Sequence, residues 1–65
     1  MQITINGKVE TIELDSLEAL VKAKGLNTDA LVIEHNHKII KRENWGHIQL
    51  KENDTLELLS FVGGG

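Results

Sequence analysis

The chain ends in Gly63-Gly64-Gly65, and the group there best able to do chemistry is the backbone carboxylate of Gly65. A free α-carboxyl titrates at about 3.3–3.7, so at neutral pH it is ionised and a poor electrophile. It becomes an acyl donor only after activation supplies a leaving group. Glycine has no side chain to pack and loses more conformational freedom on ordering than any other residue. The three glycines are therefore expected to project as a flexible strand, reaching at most about 10 Å beyond Val62 at ~3.3–3.6 Å per residue. Such a strand suits a narrow pocket in which a Cβ would collide. Taken alone, the same glycines also fit a frayed end with no chemistry.

Other constellations are weaker. His35, His37 and His47 invite a metal site, because His-x-His on a strand places both rings on one face. A turn expected at Asn36-His37 would break that geometry, and no cysteine or close carboxylate trio completes a site. The histidines are read as structural or exposed, and no metal is expected. No Ser/His/Asp arrangement is supported either: Ser16 belongs to a helix cap and Ser60 to a strand. Arg42 is expected to anchor an irregular turn and Trp45 to sit in the core.

Composition narrows the class. At 65 residues the chain is one small domain, of a length that buries only ~60% of its unfolded surface. With no cysteine, disulfides and thiolate metal sites are excluded. Stability must come from apolar packing, which 40% hydrophobic residues can supply. The net charge of −3 lacks the clustered basic surface of a nucleic-acid binder. It suits a basic surface on a protein partner. No signal peptide is visible at Met1-Gln2-Ile3-Thr4-Ile5, and no apolar stretch approaches the ~20 residues of a membrane span. The expectation is a soluble, cytoplasmic protein with neither nucleic acid nor membrane as partner.

The elements that position the tail follow from periodicity. Gln2 to Ile5 alternates, with Ile3 and Ile5 on one face. Asn6-Gly7 suits a type I′ turn, and Lys8 to Leu14 reads as the returning strand. Val9 and the pair Ile12/Leu14 differ in parity, which would need a bulge or a twist. Asp15, with Glu18 three residues on, predicts a capped helix start. Leu17, Leu20, Val21 and the stem of Lys24 form its apolar face, and Gly25 ends it after about three turns or fewer. Leu31-Val32-Ile33 predicts a strand, Asn36-His37 a turn, and Lys38-Ile39-Ile40 a short continuation. Glu43 to Ile48 predicts an irregular or 3₁₀ turn, and Asn53-Asp54 another turn. Thr55 to Val62 is the last strand, with Leu56 and Leu58 facing one way and Leu59 and Phe61 the other. A hairpin followed by a helix across one sheet face gives an α+β layer pair. Leu59 and Phe61 then lie on the outer face beside the tail, as a candidate partner surface.

Two stretches carry a resemblance. Leu56-Glu57-Leu58-Leu59-Ser60-Phe61-Val62-Gly63-Gly64-Gly65, after the turn at Asn53-Asp54, resembles the end of the ThiS sulfur carriers of the thiamine pathway. These are members of the ubiquitin-like β-grasp group. Upstream, Ile33 to Trp45 is similar to the same family's strand, Asn, turn and apolar pair, followed by Arg42 and then by Trp45. The hairpin–helix–strand order agrees over essentially the whole chain. Two positions depart from the pattern: Lys41 stands where the family usually has Pro, and Asn53 where it usually has Gly.

The resemblance implies a β-grasp domain over 1–62, a mixed sheet with one main helix on one face, and a flexible reactive tail over 63–65. It implies a protein cosubstrate, not an enzyme, with no tightly bound cofactor. An E1-like adenylating enzyme would use ATP and Mg²⁺ to convert the Gly65 carboxylate to an acyl-adenylate. A sulfur-donating protein would then displace AMP to leave a thiocarboxylate, and thiazole synthase would take its sulfur into the thiazole of thiamine. Gly63, Gly64, Leu59, Phe61 and Val62 would form the partner-binding segment. With no cysteine, no side chain can hold a persulfide, which leaves Gly65 as the site. The same tail would also serve a molybdopterin synthase small subunit, although that family is generally longer and lacks the Arg42 to Trp45 pattern. A ubiquitin-like modifier, or an interaction domain with idle glycines, are the other readings.

Overall fold

The computed structural model describes residues 1–61. Asn6 and Gly7 both take positive φ, 50° and 83°, as a type I′ turn requires. They join β1 (Gln2–Ile5) to an antiparallel β2 (Lys8–Thr11), with Ile5 opposite Lys8. Strand β2 is shorter than the Lys8-to-Leu14 reading, and the parity conflict disappears without a bulge. Glu10 faces Ile3 on the inner side, Val9 points outward, and Ile12 shares the parity of Glu10. Beyond the strand, the Ile12 N–H donates to the Met1 carbonyl at 2.8 Å and the Met1 amine to the Ile12 carbonyl at 2.9 Å. Ile12 is thereby held in the core.

The helix α1 runs over Leu17–Lys24, and its cap is Ser16, which corrects the expected Asp15. The Ser16 Oγ accepts the Ala19 N–H at 3.1 Å. The reason is tertiary: Ser16 forms an isolated antiparallel bridge with Gln49. In it the Leu50 N–H donates to the Asp15 carbonyl and the Leu17 N–H to the Ile48 carbonyl. That bridge keeps the chain extended through Ser16 and delays the first helical residue by one. Glu18 faces Lys22 one turn on, at 3.8 Å. Gly25 closes the helix at φ 66°, its N–H donating to the Lys22 carbonyl at 3.1 Å. Leu17, Leu20 and Val21 are buried, each contributing about 1.5–3 kcal/mol by the area removed from water. Lys24 is exposed, and its ammonium meets Glu10 at 3.0 Å.

A 3₁₀ turn over Thr28–Ala30, absent from the sequence reading, leads into β3 (Leu31–His35). The Asn27 side chain starts it by accepting the Asp29 N–H at 3.0 Å. Asn36 and His37, at φ 50° and 72°, turn the chain into β4 (Lys38–Ile40). A second 3₁₀ segment, Arg42–His47, places Trp45 in the core with its indole N–H donating to the Ile40 carbonyl at 3.0 Å. Strand β5 covers Thr55–Ser60, ending short of the expected Val62, which lies outside the described residues. The sheet order is β2-β1-β5-β3-β4, with β5 parallel to β1 and antiparallel to β3. Helix α1 covers one face of this mixed sheet, packing Leu17, Leu20 and Val21 with Ile3, Ile33, Leu56 and Leu58.

Candidate functional site

The candidate site is the strand that leads to the chain end. β5 lies mid-sheet, and two asparagine side chains fix its register. At its start, the Thr55 N–H donates to Asn36 Oδ1 at 2.8 Å, and the Asn36 N–H donates to the Thr55 carbonyl at 2.8 Å. Further along, where β1 has already turned away, Asn6 replaces a neighbouring strand. Its Oδ1 accepts the Leu58 N–H at 2.7 Å and its Nδ2 donates to the Leu58 carbonyl at 3.2 Å. On the β3 side Ser60 pairs with Leu31, and the Phe61 N–H donates to the Ala30 carbonyl at 2.7 Å. The strand is therefore bonded on both sides as far as Leu58 and on the β3 side as far as Phe61. Val62, Gly63, Gly64 and Gly65 lie outside the described residues.

Asp54 underlies the Asn36 anchor. It is the buried charged residue among those described, and its carboxylate is fully engaged. Oδ1 accepts from Asn36 Nδ2 at 3.0 Å, and Oδ2 accepts the Lys51 N–H at 2.8 Å and faces His35 Nε2 at 2.9 Å. Burial acts to raise the pKa of this carboxyl. The hydrogen bonds from His35, Asn36 and Lys51 together outweigh it and hold the group below the ordinary aspartate value. In the sequence a turn already accounts for each of Asn6, Asn36 and Asp54, so their hold on β5 leaves no separate signal there.

Strand periodicity places Leu56 and Leu58 in the core and leaves Leu59 and Phe61 on the outer face, 49% and 60% exposed. The outer face is wider than those two residues. Val32 stands opposite Leu59, and Ile39, 69% exposed, stands opposite Glu34. The parity of β3 and β4 carried that signal. The histidines do not converge: His35 is engaged by Asp54, His37 sits in the left-handed turn, and His47 ends the second 3₁₀ segment. Among the described residues, no group of three His, Cys, Asp or Glu side chains is placed to hold a metal ion. No helix among them is long and apolar enough to cross a membrane. Arg42 reaches Asp29 at 3.1 Å and ties the two 3₁₀ turns together at the surface. Both side chains are largely exposed, so the pair contributes little to stability.

Similarity to known proteins decides the family. The sequence model of the ThiS family matches residues 3–65. The chain belongs to the ThiS family. It is 29% identical over 65 residues to the sulfur carrier protein ThiS of Bacillus subtilis, covering 97% of this chain and 98% of that one. It is 32% identical over 66 residues to a thiazole synthase of Magnetococcus marinus, of whose length this chain spans a fifth. The crystal structure of a thiamine biosynthesis protein (ThiS) from Geobacter metallireducens superposes with a TM-score of 0.85 over the whole of both chains, at 29% identity. The fold is thus the ubiquitin-like β-grasp, a five-stranded mixed sheet with one main helix.

The two departures from the ThiS pattern are conformationally mild. Lys41, where Pro is usual, has φ −64°, which is the value a proline ring imposes. Asn53, where Gly is usual, has φ 71°, and asparagine tolerates that region better than most side chains.

Proposed function

We propose that the chain is a sulfur carrier of thiamine biosynthesis that bears its sulfur as a thiocarboxylate at Gly65. It acts as a cosubstrate of partner enzymes and not as a catalyst. The Gly65 carboxylate attacks the α-phosphorus of ATP on an E1-like adenylating enzyme that uses Mg²⁺, and pyrophosphate leaves. Sulfide delivered by a sulfur-donating protein attacks the activated carbonyl carbon, the bond from that carbon to the AMP oxygen breaks, and AMP and a proton depart to leave the thiocarboxylate. Thiazole synthase then accepts the sulfur. Gly63 and Gly64 let the end enter a narrow active site, because a Cβ there would widen the strand. Leu59, Phe61 and Val62 form the apolar grip beside it.

The observation that supports this most is the extent of the ThiS match, which continues past β5 through Gly65. The partial match to a thiazole synthase supports the choice of sulfur acceptor. The test is intact-mass analysis after incubation with the adenylating enzyme, ATP, Mg²⁺ and a sulfur source. One terminal oxygen is replaced by sulfur in the intact chain and in none of a Gly65 deletion. Isopeptide adducts on other proteins would instead indicate a modifier.

A further inference from the structure

The strand that carries the tail loses its neighbour on one side before it ends. Among the described residues β1 pairs with β5 at Thr4 and Ile5, opposite Thr55 and Leu56. There the chain turns away at Asn6-Gly7, with φ 50° and 83°. The Thr4 N–H donates to the Asp54 carbonyl and the Asn6 N–H to the Leu56 carbonyl, both at 2.9 Å. Strand alternation makes Leu58 the next residue of β5 whose backbone groups point to that side. Strand β1 has ended by then, and the Asn6 side chain meets them instead. Its Oδ1 accepts the Leu58 N–H at 2.7 Å and its Nδ2 donates to the Leu58 carbonyl at 3.2 Å.

The turn by itself does not call for this residue. Glycine meets a φ of 50° with less strain than asparagine. Aspartate tolerates the same region, yet its carboxylate has no N–H to offer the Leu58 carbonyl. Glutamine carries its amide one methylene further out. Asparagine joins a left-handed backbone to a donor and an acceptor at the required distance. Asn6 therefore turns the chain and extends β1 by one residue at once.

The position of this clamp gives it a use. Beyond Leu58 the described strand is held on the β3 side, by the Leu31–Ser60 pair and by the Phe61 N–H on the Ala30 carbonyl at 2.7 Å. Residues 62–65 add at most about 14 Å of reach. A strand end that swings by one strand spacing, about 4.8 Å, takes up about a third of that. Misplacing a reacting group by ~1 Å can cost about 10²-fold in rate.

We propose that Asn6 is a positioning residue for the activation of Gly65. By clamping Leu58 it aims the end of β5, and with it the terminal carboxylate, at the catalytic centre of the adenylating enzyme. This rests on the carrier reading above. Asn6 acts through β5 and not by contact with the nucleotide.

The experiment compares the wild-type chain with Asn6→Gly, Asn6→Asp and Ser16→Ala, at a temperature where thermal melts show the chains folded. Ser16→Ala is the control, since it removes the helix cap on Ala19 and leaves the bonds of β5 in place. Activation is read as exchange of labelled pyrophosphate into ATP by the purified adenylating enzyme of the same organism, with Mg²⁺ and a range of carrier concentrations. Asn6→Gly should melt about 4–16 °C lower. Its kcat should fall about ten-fold while the KM for the carrier is unchanged. The Phe61 amide, whose own bond goes to Ala30, should show about ten-fold faster hydrogen exchange. Asn6→Asp should lose kcat in the same way. Ser16→Ala should lower the melt and leave kcat and the Phe61 amide as in the wild type. Wild-type kcat in folded Asn6→Gly and Asn6→Asp would overturn the proposal. So would a raised KM at unchanged kcat, which marks a lost contact and not a misaimed end, or an equal fall of kcat in Ser16→Ala. Should Asn6→Gly fail to fold, Asn6→Asp, which keeps an acceptor for the Leu58 N–H, decides alone. If the wild-type chain supports no pyrophosphate exchange, the carrier reading fails and this proposal with it. If all four chains support it equally, only the positioning role fails.

Discussion

Replacing Asn36 tests whether side-chain bonds, and not only turn geometry, hold the strand that bears the tail. Its amide makes two bonds, from the Thr55 N–H at 2.8 Å and to Asp54 at 3.0 Å. Asn36 is exposed, so water can partly replace them, and each is assigned about 1 kcal/mol. Asn36 also sits at φ 50°, where a side chain such as alanine's costs about 1 kcal/mol more. Asn36→Ala should therefore destabilise the domain by about 3 kcal/mol. For a domain of this size that lowers the melting midpoint by about 12–24 °C. His37 supplies the control, because its φ is 72° and its side chain makes no hydrogen bond among the described residues. His37→Ala should cost only the conformational part, about 1 kcal/mol. Urea titration followed by circular dichroism measures both, and equal costs for the two variants would refute the anchoring role.

Three further outcomes follow from local geometry. Ser16→Ala should lose about 1 kcal/mol of stability in the same titration, while Asp15→Ala should stay within about 0.5 kcal/mol, since Ser16 is the cap. Lys41→Pro should gain about 0.4–1 kcal/mol, because Lys41 already has a proline's φ and the substitution restricts the unfolded chain. Asp54 has its folded pKa lowered, so its contribution is complete above the unfolded aspartate value of about 3.9. That contribution is lost as pH falls through the lower folded value. Urea midpoints measured from pH 7 downward should show this acid limb, and Asp54→Asn should flatten it.

Much of the fold is legible in local sequence signals. Asn6-Gly7 and Asn36-His37 announce left-handed turns because few residues tolerate positive φ, and Leu17, Leu20 and Val21 announce a helix by spacing alone. What escapes is whatever depends on distant partners. The pairing of β5 with β1 joins residues some fifty positions apart, such as Thr4 with Thr55, and its pairing with β3 joins residues more than twenty apart, such as His35 with Leu56. The shift of the cap from Asp15 to Ser16 is imposed by Gln49. The 3₁₀ turn at Thr28–Ala30 has no apolar period to betray it. At the site, Leu59 and Phe61 are visible from strand parity. Asn6, Asn36 and Asp54 are not, because a turn already accounts for each residue, and only the folded geometry reveals a second use.

The central claim is that the chemistry resides at the Gly65 carboxylate, and the mass of the intact chain tests it most directly. After reaction with the adenylating enzyme, ATP, Mg²⁺ and a sulfur source, the account predicts one oxygen-to-sulfur exchange, located by fragmentation to the terminal residue and absent when Gly65 is deleted. An unchanged mass under conditions in which the enzyme activates another ThiS carrier would contradict it, as would sulfur located on any other residue.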